Sequence, residues 1–283
     1  MRTAIFATCR ELPDLLPGDL LAAKALEQRG VHVAVGLWDS AAPEFQTSDL
    51  VVIRSTWDYH LRSNEFLGWL ESLSEQKVVN DPDLLRWNIS KRYLLTLAEG
   101  GAPLPPTTTV APKAGAIRDA MESLELEQAI VKPVIGATAS GLSRVTLSDE
   151  LSLARAARAL GGEGLVQAWL PAIETVGETS LIFFDGEFSH AVCKRPQDDD
   201  FRVQAEFGGR TESVKPRAET IALGESLLKL LPSPPVYARV DLIVEKKQHW
   251  LMEMELIEPE LFLEFDEGAP ERFASALVRA LRA

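Results

Sequence analysis

Residues 3 to 8 (TAIFAT) form an unbroken apolar run, residues 18 to 29 repeat apolar side chains at helical spacing, and 31 to 37 (VHVAVGL) form a second, valine-rich run. This reads as a βαβ opening. A further strand at 49 to 55 (DLVVIRS), a helix over 63 to 75 and a short strand at 77 to 79 continue the alternation. Apolar strands alternating with amphipathic helices predict a parallel sheet covered on both faces. Such sheets bind ligands beyond the carboxyl ends of their strands, where Arg54, Ser55, Thr56, Trp57 and Asp58 fall. The first loop contains no GxGxxG, so a dinucleotide-binding reading lacks its phosphate turn.

The pattern changes after a helix expected over 89 to 99. The Pro- and Thr-rich segment 101 to 112 (GAPLPPTTTVAP) reads as an extended connection. Beyond it come a helix over 113 to 123, a strand at 128 to 132, a glycine-containing loop, a helix over 148 to 160 and a strand at 164 to 168, a second and smaller α+β unit. The last third predicts strands at 179 to 184, 187 to 194, 236 to 245 and 249 to 256, with helices near 216 to 231 and 269 to 281. The fold class is therefore α/β followed by α+β.

Composition narrows the partners. The 283 residues are 46% hydrophobic and 25% charged, as in folded soluble domains, and a net charge of -13 repels nucleic acid and anionic lipid. Screening confines distant charges to about 8 Å, so a local basic loop still suits a small anion. Cys9 and Cys193 are too few for a disulfide framework, and no apolar run approaches the ~20 residues of a membrane span, so the chain reads as cytosolic. Cys9 reads as a buried strand-end residue, because no local His or base accompanies it.

Two segments carry candidate chemistry. Lys132 ends the strand AIVKP just before the loop Gly136 to Gly141 (GATASG), where small residues let backbone N–H groups approach phosphate oxygens. Leu142 and Ser143 stand where a Walker A loop has Lys and Ser or Thr, so a P-loop is disfavoured, and a plain surface turn is the alternative. Residues 251 to 271 hold eight acids and no Lys or Arg. In LMEMEL, the strand period puts Glu253 and Glu255 on one face and Met252, Met254 and Leu256 on the other. A three-residue loop of Lys246, Lys247 and Gln248 pairs Glu245 with His249, which sets Asp241 opposite Glu253 and Arg239 opposite Glu255. Opposed carboxylates repel by about 1 kcal/mol when exposed. A divalent cation reverses that cost, and Mg²⁺ suits such oxygen ligands; a solvated outer face is the alternative. The four histidines do not cluster, so zinc has no support.

Lys132 before a glycine loop, a later apolar hinge, and a hairpin in which Asp is followed twelve residues on by Glu-x-Glu together resemble the ATP-grasp superfamily. RWNISKRYL at 86 to 94 is similar to its first nucleotide-lysine segment, AIVKP to its second, VQAWLPAIETVGETS to its adenine hinge, and YARVDLI with LMEMELIEP to its metal hairpin. Within it, the chain resembles the glutathione synthetase-like group; RSTWDY, RWN with KRYL, and MELxEP are similar to the cycloserine synthetase branch. The resemblance implies an N-terminal parallel-sheet pre-ATP-grasp domain (1–88), a small central lid (89–170) and a C-terminal mixed-sheet subdomain (171–283).

It further implies that Lys91 and Lys132 contact nucleotide phosphates beneath the loop holding Gly136, Ser140 and Gly141. Gln167, Ala168, Trp169 and Leu170 would flank adenine, Glu178 would hold the ribose, and Asp241, Glu253 and Glu255 would bind Mg²⁺. Arg239 would stabilise charge on an acyl phosphate and on the tetrahedral species that follows it, with Lys132 the other catalytic candidate. Glu255 departs from the family's usual Asn. Arg54, Ser55, Thr56 and Trp57 are acceptor-pocket candidates, and Lys194 and Arg195 candidates for phosphate or substrate carboxylate. The implied activity is ATP-dependent ligation of a small amino-acid-like carboxylate to an amine, releasing ADP and phosphate. Alternatives are intramolecular ligation of the cycloserine-synthetase type and a nucleotide-binding protein without turnover. Partners are small molecules, not nucleic acid or membrane, and self-association is left open.

Overall fold

The computed structural model describes residues 2–40, 44–197, 202–203 and 208–283. The first sheet comprises β1 (Arg2–Thr8), β2 (Val31–Leu37), β3 (Leu50–Ile53) and β4 (Val78–Val79) in the order β2-β1-β3-β4, all parallel. Helices α1 (Pro17–Glu27), α2 (Glu44–Thr47) and α3 (Ser63–Ser72) cover it. Its strands alternate between two cores: Ala4 and Phe6 meet α1, whereas Ile5, Ala7 and Val51 meet Phe45 and Leu73. Burial on both faces explains the unbroken apolar runs.

The helix expected over 89 to 99 is in fact α5 (Tyr93–Glu99), preceded by a separate α4 (Pro82–Asn88). Pro82 starts α4 and the Asp81 carboxylate accepts the Asp83 amide at 2.9 Å, an N-cap. The turn between them frees the Lys91 amide to donate to the Val134 carbonyl at 2.7 Å.

The second sheet contains β5 (Thr107–Val110), β6 (Gln128–Pro133), β7 (Ser143–Thr146) and β8 (Gly164–Ala168) in the order β5-β8-β6-β7, with α6 (Ala114–Ser123) and α7 (Glu150–Ala159) against it. The segment read as a connection over 101 to 112 thus contains a strand: its β-branched residues Thr107 to Val110 pair with β8. Strand β7, just past the glycine loop, was not expected from the pattern.

The third sheet follows α8 (Ala172–Val176). It comprises β9 (Glu178–Phe184), β10 (Glu187–Arg195), β11 (Arg210–Val214), β12 (Tyr237–Glu245) and β13 (Gln248–Glu255), with α9 (Ala218–Leu228) before β12 and α10 (Ala269–Arg282) last. The order is β11-β10-β9-β12-β13, and every pairing is antiparallel, so the expected mixed sheet is a correction. The passage through α9 brings β12 back antiparallel to β9.

Alternation along this sheet decides where chemistry sits. Leu181, Phe183, Ala238, Val240 and Leu242 face α4, α5 and α9. The other face has three zones: Ile182, Phe184 and Tyr237 pack on the first unit and α10; Glu178, Lys194, Arg239 and Asp241 form a charged middle; Ile243 begins a second apolar patch. Phe184 stacks on Phe273 of α10 at 5.1 Å, and α10 also lies on α1. The first sheet's ligand edge is thereby held over the charged zone. No described helix is long and apolar enough to cross a membrane.

Candidate active site

The carboxylates of the β12–β13 pair owe their alignment to a bulge. The turn has two residues, Lys246 and Lys247, and Glu245 pairs with Gln248 rather than with His249 as the three-residue loop required. A register shift between Asp241 and Leu242 inserts Met252 and restores Asp241 opposite Glu253 and Arg239 opposite Glu255. The expected carboxylate pairing is present for a different reason. Met252, expected on the face away from the acids, packs instead with Ile243 and Trp250 toward the cavity, while Met254 lies in the opposite core. The free edge of β13 is covered by side chains: Asn88 Nδ2 donates to the Met254 carbonyl at 2.9 Å, the Leu256 amide to Asn88 Oδ1 at 3.0 Å, and the Met254 amide to the Tyr93 hydroxyl at 2.9 Å.

Asp241 is 2% exposed and fully partnered. Arg239 reaches it through Nε and Nη2 at 3.1 and 3.0 Å, Ser180 donates at 2.5 Å, and Lys194 lies 3.3 Å away. Burial opposes its ionisation, but Arg239 and Lys194 outweigh it and hold the carboxyl well below the usual range. Lys194 also meets Glu178 at 2.6 Å. Lys91 pairs with Glu253, and Arg239 with Glu255. Burial, Glu253 and Asp241 together push Glu255 up to about 7 against the pull of Arg239. In this arrangement the oxygens of Asp241, Glu253 and Glu255 do not all lie within 4.8 Å of one another, because each faces a cation. The donor chemistry fits Mg²⁺, since all three are hard oxygen ligands and the repulsion of Glu253 and Asp241 that helps raise the Glu255 pKa is one a divalent cation would offset. The described residues whose ligand atoms do converge, Cys9, Glu11 and Asp58, lie outside the cavity, and Asp58 there is taken by Arg62 and Trp38. Cys9 is buried, and burial raises its thiol pKa, which suits a structural role.

A cavity of about 650 Å³ joins the three units over these charges. Lys132, 7% exposed, donates to Gln167 Oε1 at 3.2 Å and lies 3.5 Å from the Met252 carbonyl that the bulge presents. Burial lowers its pKa to about 8 against the attraction of Glu253, and nearby Lys91 adds to the fall. The glycine loop overhangs it with Thr138 and Ala139 both left-handed. Gly141 has φ +72°, and a Cβ there would sit 2.7 Å from Pro133 Cγ. One end of the cavity is an apolar wall of Ile173, Val203, Ile243, Met252, Trp169 and Leu170, fit for a flat heterocycle.

Most expected residues meet here. Lys91, Lys132, Gly136, Ser140, Gln167, Ala168, Trp169, Leu170, Glu178, Lys194, Arg239, Asp241, Glu253, Glu255 and Trp57 all line the cavity. Glu178, implied for the ribose, is engaged by Lys194 in the charged zone. Five expectations need correction or relocation. Arg54, 1% exposed, is bound to Asp19 at 2.8 Å and donates to the Pro259 carbonyl at 2.7 Å, and Ser55 also bonds Asp19. Thr56 is fully buried with its hydroxyl unpartnered, and none of the three lines the cavity. Arg195 pairs with Glu212 on the exposed side of β10, one residue out of phase with Lys194. Gly141 shapes the loop without lining the cavity.

Sequence reading missed Tyr59, Glu258, Glu260 and Phe262, which close the end nearest the first unit, and Arg202 and Thr211, which line it from around β11. Glu258 had a signal, the EP dipeptide ending MELIEP; Arg202 had none in periodicity.

A parallel-sheet unit, an antiparallel lid and a larger antiparallel sheet, closing on lysines and a carboxylate hairpin, define an ATP-grasp ligase, a class that uses ATP and Mg²⁺ and forms C–N bonds with release of ADP. A family model described as the ATP-grasp domain of prokaryotic glutathione synthetase matches residues 97–266, and the chain belongs to that family. Residues 4–80 match the N-terminal domain of D-cycloserine synthetase DcsG. The cycloserine biosynthesis protein DcsG of Streptomyces lavendulae is 34% identical over 273 residues, covering 89% of this chain and 90% of that one. The crystal structure of D-cycloserine synthetase DcsG superposes with a TM-score of 0.87 at 31% identity over 99% of both chains. D-alanine–D-alanine ligase from Bacillus anthracis shares the fold, with a TM-score of 0.71 at 15% identity over 100% of this chain and 96% of that one.

Proposed function

We propose that the protein is an ATP-dependent carboxylate–amine ligase acting on a small amino-acid-like substrate through an acyl phosphate, with ADP and phosphate as products. The observation that carries this reading is Arg239, which lies between Asp241 and Glu255 on the cavity side of the hairpin. A carboxylate attacking a phosphoryl group brings two anions together, and a fixed guanidinium offsets their repulsion. Lys91 and Lys132 would bind the phosphates, the loop from Gly136 would cover them, and the wall around Trp169 and Ile243 would hold adenine. Asp241, Glu253 and Glu255 would hold Mg²⁺, which supplies charge neutralisation on the phosphates. Lys194, which bridges Glu178 and Asp241, would meet phosphate or a substrate carboxylate.

The similarity to a D-cycloserine synthetase along nine tenths of the chain favours a second version, in which acid and amine belong to one molecule and the ligation closes a ring. The two versions separate by stoichiometry and product mass: a cyclising enzyme consumes one amino acid per ADP and gives a product lighter than its substrate, whereas an intermolecular ligase consumes two molecules per ADP and gives a joined product, even when both are the same amino acid. A nucleotide-binding protein without turnover would show no substrate-dependent ADP release. The deciding experiment incubates the enzyme with ATP, Mg²⁺, an amino-acid panel and hydroxylamine. ADP, phosphate and a hydroxamate are expected, and AMP with pyrophosphate would sink the acyl-phosphate mechanism.

A further inference from the structure

One pair of polar groups in the cavity is left unused by the nucleotide and metal assignments. Glu258 is 8% exposed and lines the cavity, and its carboxylate has no hydrogen bond or ion pair to another described residue. Tyr59, 5% exposed, lines the same end, and its hydroxyl likewise bonds no described residue. Of the neighbouring charges, Glu258 acts most strongly on that hydroxyl.

Both are held rigidly from behind. Trp57 Nε1 donates to the Glu258 carbonyl at 3.2 Å, and Arg54 fixes the adjoining Pro259 carbonyl. The Tyr59 amide donates to the Thr56 carbonyl at 3.0 Å, and its ring packs on Phe66 at 5.1 Å. The Glu258 carboxylate accepts only from its own backbone amide; a buried carboxylate with so little to offset its charge is costly, and a fixed backbone carrying such a group is the form of a preorganised binding site.

We propose that Glu258, with the Tyr59 hydroxyl lining the same cavity, receives the amine of the acceptor and acts as the general base of C–N bond formation. The inference rests on the ligase reading above. The amine arrives as an ammonium with the Tyr59 oxygen accepting one of its hydrogen bonds. The Glu258 carboxylate takes one N–H proton and becomes a carboxylic acid. The freed lone pair forms the C–N bond at the acyl carbon, and the C–O bond to phosphate breaks with its electrons on the phosphate oxygen. The second nitrogen proton passes to the departing phosphate, and Glu258 returns its proton to water. Burial and the nearby Glu255 and Glu253 raise the Glu258 pKa to about 8, with Lys91 and its own backbone amide opposing them, and the Tyr59 and Tyr237 hydroxyls are the other titratable groups that feel its charge. A base is most effective with its pKa near the working pH.

The test separates activation from amine attack. The twenty common amino acids and their D enantiomers are screened with ATP, Mg²⁺ and hydroxylamine, which is already neutral near pH 7 and needs no base. The same panel then supplies protonated amines for amide formation. Glu258→Gln is expected to keep hydroxamate formation within about threefold of wild type and to slow amide formation by about 100-fold, the lower end of general-base effects. Tyr59→Phe is expected to slow the amide step by a smaller factor, again without loss of hydroxamate. Glu258→Asp, read in the same way should Glu258→Gln fail to fold, is expected to retain part of the amide rate. Parallel loss of both products would place Glu258 with the nucleotide and overturn the proposal, as would an unchanged amide rate. No hydroxamate from wild type with any acid would instead overturn the ligase reading itself.

Discussion

Asp241 faces Glu253 across the β12–β13 pair although the connecting turn is one residue shorter than a regular ladder with that pairing needs. The extra residue, Met252, sits in the strand instead of the turn. Two carboxylates are thus held on one wall of the cavity by a bulge, a local feature that bends a strand and re-aims its side chains.

Asp241 and Glu253 are expected to differ when neutralised. Asp241 is 2% exposed and compensates Arg239 and Lys194, so Asp241→Asn should cost about 3–5 kcal/mol of apo stability, as for one broken partner of a buried pair. Glu253, with a 27% exposed side chain and one lysine partner, should cost less on change to Gln. Both should lower Mg²⁺-dependent nucleotide binding and turnover. Urea unfolding and nucleotide titrations with and without Mg²⁺ check this; metal dependence unchanged in both variants would remove the metal assignment.

Lys132 should make nucleotide binding take up protons at alkaline pH. Its folded pKa of about 8 lies below the ordinary lysine value of 10.5. Between those values the unfolded state binds more protons, so its contribution makes stability rise with pH across that window. Phosphate oxygens beside the ammonium favour the protonated form, so ATP binding near pH 9 should draw a proton from solution. Calorimetry in buffers of different ionisation heat reads that uptake, and Lys132→Met should abolish it. Equal uptake by the variant would exclude Lys132 as its source.

Arg54 should behave as a structural residue and not as a substrate ligand. Changing it to Met leaves Asp19, 3% exposed, without its cation and releases the Pro259 carbonyl. A loss of about 3–5 kcal/mol is expected, partly recovered by adding Asp19→Asn. Denaturant midpoints of the single and double variants measure it. A raised KM with unchanged midpoint would return Arg54 to the acceptor pocket.

Asn88 should couple the stability of β13 to its chemistry. Asn88→Ala strips partners from the Met254 carbonyl and the Leu256 amide, and each buried backbone group left unpaired costs about 1–3 kcal/mol. Because Glu253 and Glu255 flank Met254, metal affinity should fall as well. Hydrogen exchange at Leu256 reports the first effect and Mg²⁺ titration the second; unchanged exchange would show that water replaces the amide.

By itself, the sequence determined what short-range periodicity and composition encode. Unbroken apolar runs such as TAIFAT and DLVVIRS specify strands buried on both faces, and the alternation of YARVDLI commits Arg239 and Asp241 to one side of a sheet whatever they meet there. The order and spacing of Lys132, the glycine loop and the Glu-x-Glu hairpin were legible for the same reason, being local in the chain. Only the tertiary structure decided which charges find partners. Arg54 and Asp58 stand four residues apart at one strand end, yet Arg54 points inward to Asp19 and Asp58 to Arg62, because the packing of α1 and α3 against the sheet selects those contacts. Lys194 and Arg195 are neighbours with opposite fates, since the pleat sends one into the charged zone and the other to Glu212. The bulge at Met252 and the placing of Tyr59 and Glu258 on one cavity depend on contacts between segments far apart in the chain, and no local pattern records the free energy of closing them.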